Sequence, residues 1–311
     1  MAIQSKYIWM DGKMVEYEKA TIHVLTPALH YGMGTFEGIR CYSTSNGPGV
    51  FRLREHLERL VDSTHILGVL EFPFSVEELR QAVHETVQAN ELPECYIRPL
   101  VYMANGPLGL NLDASKPSVA IAAWEWGAYL GEEALEKGVR VMVSSYTRHH
   151  PNVTMTKAKI TGNYPNSVLA KTFALRAGFD EAIMLDPTGM VAECSGENLF
   201  MVRGNKVYTT PRASILEGIT RDAVITLASD LGYSVIEEPI SRDQLYIADE
   251  VFMSGTAAEC VAVREIDFRT VGSGKMGPVT RAIQHAFFET ARGNGKHSAE
   301  WLDYVPEKAK A

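Results

Sequence analysis

Apolar and polar positions along the 311-residue chain change period several times, and each change marks an element. Near the start, Tyr7-Ile8-Trp9-Met10 and Lys13-Met14-Val15-Glu16 flank Asp11-Gly12, a dipeptide that favours a type I′ turn, so residues 7–16 predict a hairpin. Helical spacing then appears twice. From Arg54 to about Leu67 it places Leu57, Leu60 and Val61 on one face. From Ser75 to about Ala89 it turns Val76, Leu79, Val83 and Val87 inward, behind the capping-box spacing Ser75-Val-Glu-Glu78. Runs rich in β-branched and aromatic residues at Cys95 to Met103 and Ser118 to Trp124 read as strands.

The pattern breaks from Gly127, which divides the chain into a domain over 1–127, a linker over 128–133 and a second domain over 134–311. In the second part, strands at Val139 to Ser144, Glu181 to Leu185, Leu199 to Val202 and Lys206 to Thr209 alternate with helices. One helix spans about Asn166 to Ala177 with Gly178 as its C-terminal cap, and another begins near Thr220 and ends before Gly232. A third opens at Gly277-Pro278 and ends before Gly293. Gly204-Asn205 predicts a tight hairpin. The fold class is therefore α/β, of the α+β type: two domains, the N-terminal one smaller, with a site expected between them.

Composition narrows the function more than the fold. An apolar fraction of 46% and a charged fraction of 22% are those of a globular protein with a large core. A formal net charge of -8 argues against nucleic acid, whose phosphates call for a basic face. Cys41, Cys95, Cys194 and Cys260 are scattered and form no CxxC pair, which suits reduced thiols rather than a disulfide framework or a metal site. No basic-then-apolar leader opens the chain and no run nears ~18 apolar residues. The expectation is a cytoplasmic protein with no membrane partner.

Candidate chemistry clusters in four places. Lys157-Ala-Lys159-Ile-Thr-Gly-Asn-Tyr164 offers two lysines beside polar groups and a glycine that permits close backbone approach. Either amine becomes a nucleophile once neighbours depress its pKa, and spacing does not choose between them. Glu193, in Val191-Ala-Glu-Cys-Ser-Gly-Glu-Asn-Leu-Phe200, is either part of a solvated acidic turn or a carboxylate set against a heterocyclic nitrogen. Leu216-Glu-Gly-Ile-Thr-Arg221 places a glycine and a hydroxyl at a helix start, where amides and dipole favour an anion. Ser254-Gly-Thr-Ala-Ala258 follows an apolar strand, and Arg59 can clamp a phosphate. His149 and His150 read as surface residues, and no Walker or Gly-x-Ser-x-Gly motif is present.

Taken together, six motifs resemble the fold type IV pyridoxal-phosphate enzymes and, within them, the bacterial branched-chain amino acid aminotransferases. They are His30-Tyr-Gly-Met-Gly-Thr-Phe-Glu-Gly-Ile-Arg40, Tyr96-Ile-Arg-Pro99, Lys159-Ile-Thr-Gly-Asn-Tyr164, Glu193-Cys-Ser-Gly-Glu-Asn198, Gly218-Ile-Thr-Arg221 and Met253-Ser-Gly-Thr-Ala-Ala258, and the resemblance as a whole runs from about Tyr7 to Leu302. The resemblance implies a pyridoxal 5'-phosphate cofactor carried on Lys159 as a Schiff base, with Glu193 at the pyridine nitrogen and Tyr164 at the ring hydroxyl. Arg59, the amides of Ile219 and Thr220, and Thr256 hold the phosphate. Tyr96 and the Thr256-Ala257 turn take the α-carboxylate, while Phe36, Trp126 and Tyr129 wall the side-chain pocket. Arg98 receives the second carboxylate of glutamate together with Tyr31 of a neighbouring subunit, and the neighbour's Leu110 acts as a lid.

The implied reaction is ping-pong transamination of L-leucine, L-isoleucine and L-valine with 2-oxoglutarate, in a homo-oligomer that is at least a dimer and often a hexamer. A D-amino acid or (R)-amine transaminase shares the same lysine and glutamate. A silent cofactor-binding protein needs only the phosphate cup.

Overall fold

The computed structural model describes residues 5–127 and 129–307; Ala128, the first residue of the expected linker, lies outside them. The chain forms two compact units. Of the described residues, the first takes 5–126, 158–163 and 290–307, and the second takes 127, 129–157 and 164–289. Neither is a single stretch of chain, so both returns to the first unit cross a division drawn along the sequence.

Strands β1 (Tyr7–Met10), β2 (Lys13–Glu16), β3 (Gly34–Phe36), β4 (Ile39–Thr44), β5 (Gly47–Phe51), β6 (Cys95–Asn105) and β7 (Lys116–Trp124) build the first unit's sheet. Helices α1 (Pro27–Tyr31), α2 (Leu53–Ile66) and α3 (Val76–Asn90) accompany it. The order runs Leu302–Tyr304, β5, β4, β6, β7, β1, β2, with β3 also on β6. The first hairpin forms because Asp11 and Gly12 both adopt positive φ, 45° and 89°, as the turn requires. α3 starts where expected: Ser75 Oγ accepts from the Glu78 amide and the Glu78 carboxylate accepts from the Ser75 amide. Leu57, Leu60, Leu79, Val83 and Val87 from α2 and α3 meet Ile39, Ile97, Val119 and Ile121 of the sheet in one apolar core. Two late segments join this unit by backbone pairing. Ile160 bridges Thr35, and Leu302–Tyr304 pairs antiparallel with β5.

The second unit contains α4 (Glu132–Lys137), α5 (Tyr164–Arg176), α6 (Ile219–Asp230), α7 (Arg242–Tyr246) and most of α8 (Pro278–Ala291). Its strands are β8 (Val139–Val143), β9 (Glu181–Leu185), β10 (Val191–Cys194), β11 (Asn198–Arg203), β12 (Lys206–Thr209), β13 (Ser234–Glu237), β14 (Glu250–Gly255), β15 (Glu259–Ile266) and β16 (Arg269–Thr270). The sheet order is β10, β9, β8, β15, β14, β11, β12, β13, with β16 on β15. Pairings of β8 with β9, β8 with β15 and β12 with β13 are parallel, and the others are antiparallel, so the sheet is mixed. Glycines expected at helix ends take the left-handed conformation, φ 84° at Gly178, 85° at Gly232 and 93° at Gly293. No helix among the described residues is long and apolar enough to cross a membrane.

Candidate active site

In the first unit the chemistry is assembled on β3, α2, β6 and the returning segment 158–163. Lys159 is half-buried between buried Ala158 and Ile160. Its amide donates to Ser63 Oγ of α2 at 3.0 Å, its carbonyl accepts from the Phe36 amide at 3.0 Å, and its Nζ lies 5.1 Å from the Phe36 ring centre. Thr161 Oγ1 donates to the Gly32 carbonyl at 2.7 Å, which ties the segment beside α1. The other candidate lysine is engaged elsewhere. Lys157 Nζ donates to the Arg212 carbonyl and makes a 2.9 Å ion pair with Glu217 in the second unit.

Arg59 projects from α2 onto Glu37, with Nε and Nη2 donating at 2.6 and 2.9 Å to its two oxygens. His56 Nδ1 lies 2.7 Å from Glu37 Oε2. Burial alone raises the Glu37 pKa, but Arg59 and His56 outweigh it and hold the carboxyl far below the usual range. His56 itself is pushed down from 6.5 by burial, against the pull of Glu37.

Arg98 of β6 lies against two aromatic faces, its guanidinium 4.7 Å from the Phe36 ring centre and 5.3 Å from that of Tyr96. Its Nη2 donates to the Tyr96 hydroxyl at 3.1 Å, and its Nε is buried without a hydrogen-bond partner. Tyr96 also meets the Trp126 ring edge-on at 4.5 Å. Gly38 makes room for this phenol: a Cβ there would stand 2.0 Å from the Tyr96 hydroxyl oxygen. Phe36, Tyr96, Arg98 and Trp126 thus form one group, with Lys159 reaching it through Phe36. Tyr31 and Leu110 are not gathered in by this chain and stay 40% and 94% exposed.

The second unit holds Tyr164, Glu193, Ile219, Thr220, Thr256, Ala257 and Tyr129. Tyr164 is the first residue of α5, a few residues along the chain from Lys159. Glu193 lies beyond a bulge in the pairing of β10 with β9 and is buried, not in a solvated turn. Its Oε1 is 2.7 Å from Arg148 Nη2, while Oε2 accepts from Asn198 Nδ2 at 3.3 Å and the Leu216 amide at 3.2 Å. Asn198 Nδ2 also donates to the Leu216 carbonyl at 3.0 Å, linking the Glu193 turn to the approach to α6. Neither Arg148 nor Asn198 was singled out for this role by sequence, because their part depends on pairings between distant stretches of chain.

α6 begins at Ile219 and Thr220 behind Gly218, and no side chain caps its amides. A Cβ at Gly218 would lie 2.0 Å from Asn198 Oδ1, so a bare backbone is required there. Thr256 and Ala257 occupy the short connection closed by the Gly255–Glu259 pair of β14 and β15. Tyr129 lies 5.4 Å from Lys171 Nζ, measured to the ring centre.

The turn after Glu193 contains a second buried acid. Burial, and then Glu181, raises the Glu197 pKa from 4.5 to about 8, although Lys171 opposes the shift. His150 is exposed as expected, but His149 departs from the surface reading. Both its ring nitrogens are buried without a hydrogen-bond partner, and burial followed by Arg148 lowers its pKa to about 4.

These donors suit pyridoxal 5'-phosphate. The first unit offers a half-buried amine and an arginine, and the second an uncapped helix start for a phosphate and a buried carboxyl for a ring N–H.

Residues 34–266 match the amino-transferase class IV family. The chain is 48% identical over 305 residues, 98% of its length and 99% of the relative's, to a branched-chain-amino-acid aminotransferase of Pseudomonas aeruginosa. It superposes with a TM-score of 0.95 on the Escherichia coli branched-chain amino acid aminotransferase, at 48% identity, covering 97% of this chain and 100% of that one. A branched-chain aminotransferase from the thermophilic archaeon Thermoproteus uzoniensis, solved with norvaline, gives a TM-score of 0.92 at 44% identity, with coverage of 97% and 100%.

Proposed function

The chain belongs to the class IV aminotransferases, and on that premise we infer that it moves the amino group of L-leucine, L-isoleucine and L-valine to 2-oxoglutarate, giving branched-chain 2-oxo acids and L-glutamate. The family's cofactor is pyridoxal 5'-phosphate. When bound, it supplies an aldehyde carbon for the amino group and a protonated ring that draws electron density from the α-carbon.

In this reading Lys159 Nζ takes the substrate α-proton and returns it, a form of acid–base catalysis worth about 10²–10⁴-fold. Glu193 holds the proton on the ring nitrogen, and Arg148 and the Leu216 amide keep its carboxylate in place. Tyr164 hydrogen-bonds the ring hydroxyl. Arg59, the amides of Ile219 and Thr220, and Thr256 bind the phosphate. Tyr96 and the Thr256-Ala257 turn orient the α-carboxylate, while Phe36, Trp126 and Tyr129 exclude water from the side chain. Each Å² of apolar surface they cover contributes about 25 cal/mol.

The observation that carries the substrate reading is Arg98. Its guanidinium lies against the Phe36 and Tyr96 rings while its Nε is buried with no acceptor. Cation–π contact of about 0.5–2 kcal/mol steadies the charge beside an alkyl side chain, and the Nε–H can meet the second carboxylate of glutamate. One wall then serves both half-reactions.

Exposed apolar side chains at Ile22, Val24, Leu25 and Leu29, and at Val168, Leu169 and Phe173 of α5, support a homo-oligomer, a dimer at least and up to a hexamer. Tyr31 and Leu110 then serve a neighbouring subunit. The four buried free thiols suit the cytoplasm.

A visible spectrum of the purified protein, taken before and after L-leucine, D-alanine or (R)-1-phenylethylamine, tests the reaction. L-leucine alone should remove the bound-cofactor band, and 2-oxoglutarate should restore it. Bleaching chiefly by D-alanine or the amine transfers the assignment to a D-amino acid or (R)-amine transaminase. In the same assay Arg98→Ala should slow the 2-oxoglutarate half-reaction far more than the leucine one, and equal losses remove Arg98 from its role.

A further inference from the structure

We propose that Glu37 is the positioning residue of the phosphate clamp: a buried carboxylate that sets the plane of the Arg59 guanidinium and is itself held by His56. The inference rests on the reading of Arg59 as a phosphate ligand.

Glu37 is 0% exposed, and three neighbours of different kinds converge on it. Arg59 donates from Nε to Oε1 at 2.6 Å and from Nη2 to Oε2 at 2.9 Å, a two-point contact that fixes rotation about the end of a long side chain. His56, one turn earlier on α2, reaches Oε2 at 2.7 Å, and the Gly38 amide reaches it at 3.2 Å. The Glu37 backbone is tied to the sheet by its own amide, which donates to the Pro99 carbonyl at 2.9 Å. The amide of the preceding residue, Phe36, donates to the Lys159 carbonyl. A single three-residue stretch, 36–38, therefore registers the lysine, the arginine and the Tyr96 phenol against one another.

Charge alone gives no reason for this carboxylate. Beside an arginine meant for a phosphate dianion, a second negative charge weakens the attraction. Burying it is costly unless it is paired and hydrogen-bonded. What it supplies is geometry. A free arginine loses side-chain entropy when it is ordered, and here that ordering is already complete on the protein side. His56, 1% exposed, prevents Glu37 from turning away.

The experiment compares two probes on cofactor-stripped protein: pyridoxal 5'-phosphate, and pyridoxal, which has the same ring and aldehyde but no phosphate. Glu37→Gln should weaken pyridoxal 5'-phosphate by about 10–100-fold, the scale seen when an orienting partner of a ligand group is lost. Its pyridoxal affinity should stay unchanged. Glu37→Asp keeps the charge but shortens the reach by one methylene, and should give the same selective loss should the Gln variant fail to fold. Equal weakening of both probes, or no weakening of either, overturns the proposal. Arg59→Gln is the control for the underlying reading. If it leaves the ratio of the two affinities unchanged, Arg59 does not hold the phosphate, whatever the Glu37 variants do.

Discussion

Glu37 in the first unit and Glu197 in the second are almost equally buried, 0% and 4% exposed, yet their environments move them in opposite directions. Around Glu37 stand Arg59 and His56, with Lys159 near enough to act on His56, and the carboxyl stays ionised. Around Glu197 the balance is reversed. Glu181 and Glu193 both act on Glu197, while Lys171 is 2.6 Å from Glu181 and Arg148 is 2.7 Å from Glu193. The third acid has the Gly196 amide at 3.2 Å, and its pKa rises to about 8. Burial raises both groups, so what separates them is the number of cations to hand. The first unit orders its acid as an anion that steers a cation, whereas the second pairs two acids with its cations and raises the pKa of the third.

The largest expected effect comes from removing Arg148, the cation paired with buried Glu193. Arg148→Ala leaves a buried carboxylate without its ion pair and should cost about 3–5 kcal/mol of stability in urea unfolding. Arg148→Met with Glu193→Leu removes both charges and should recover most of that loss, while transamination stays absent. If Arg148→Ala costs no more than an ordinary surface substitution, the two units do not differ in the way described.

The next effect is a slope against pH. Below 4.5 Glu197 is protonated whether the chain is folded or not, and it carries no penalty. Between 4.5 and about 8 the unfolded chain ionises while the folded one keeps its proton, so stability falls as pH rises. Above about 8 that loss is complete. Glu37 behaves oppositely and in another window. Its folded pKa is depressed, so its contribution is present above 4.5 and is lost as pH falls below it. Glu197→Gln should therefore flatten the decline between pH 5 and 8 and leave the acid side unchanged. An unaltered slope would mean that Glu197 is ionised in the folded protein.

These partnerships were the part of the site hidden in the sequence. What lies within a few residues was legible: the Asp11-Gly12 turn, the Ser75–Glu78 box, the glycine caps, and the lysine and glutamate motifs themselves. β4 was not read as a strand, because Arg40 is buried among apolar neighbours and no clean alternation survives. The return of 158–163 to the first unit depends on Ile160 meeting Thr35, and nothing local announces it. Spacing alone left the two lysines unranked and only the resemblance pointed to Lys159; in the structure Lys157 lies on Glu217 and Lys159 beside Phe36. Arg148 on Glu193 and Glu37 on Arg59 are likewise long-range contacts, and a motif names only one member of each pair.

The smallest expected effect concerns a polar group with neither a cation nor any other partner. Ser254, in the middle of the second unit's sheet between Asn198 and Cys260, is fully buried and its Oγ has no hydrogen-bond partner. A buried hydroxyl without a partner costs about 1–3 kcal/mol relative to an apolar group. Ser254→Ala should therefore stabilise the cofactor-free protein by about 1 kcal/mol, read as a rise in unfolding midpoint. The same substitution measured with pyridoxal 5'-phosphate bound gives the sharper answer, since Ser254 leads directly into Gly255-Thr256-Ala257. A gain that disappears on loading means the hydroxyl is held in reserve for the phosphate turn, much as Glu37 is ordered ahead of need in the first unit. A gain that persists makes Ser254 a plain cost of the fold, and a loss in the cofactor-free protein shows that the hydroxyl already has a partner.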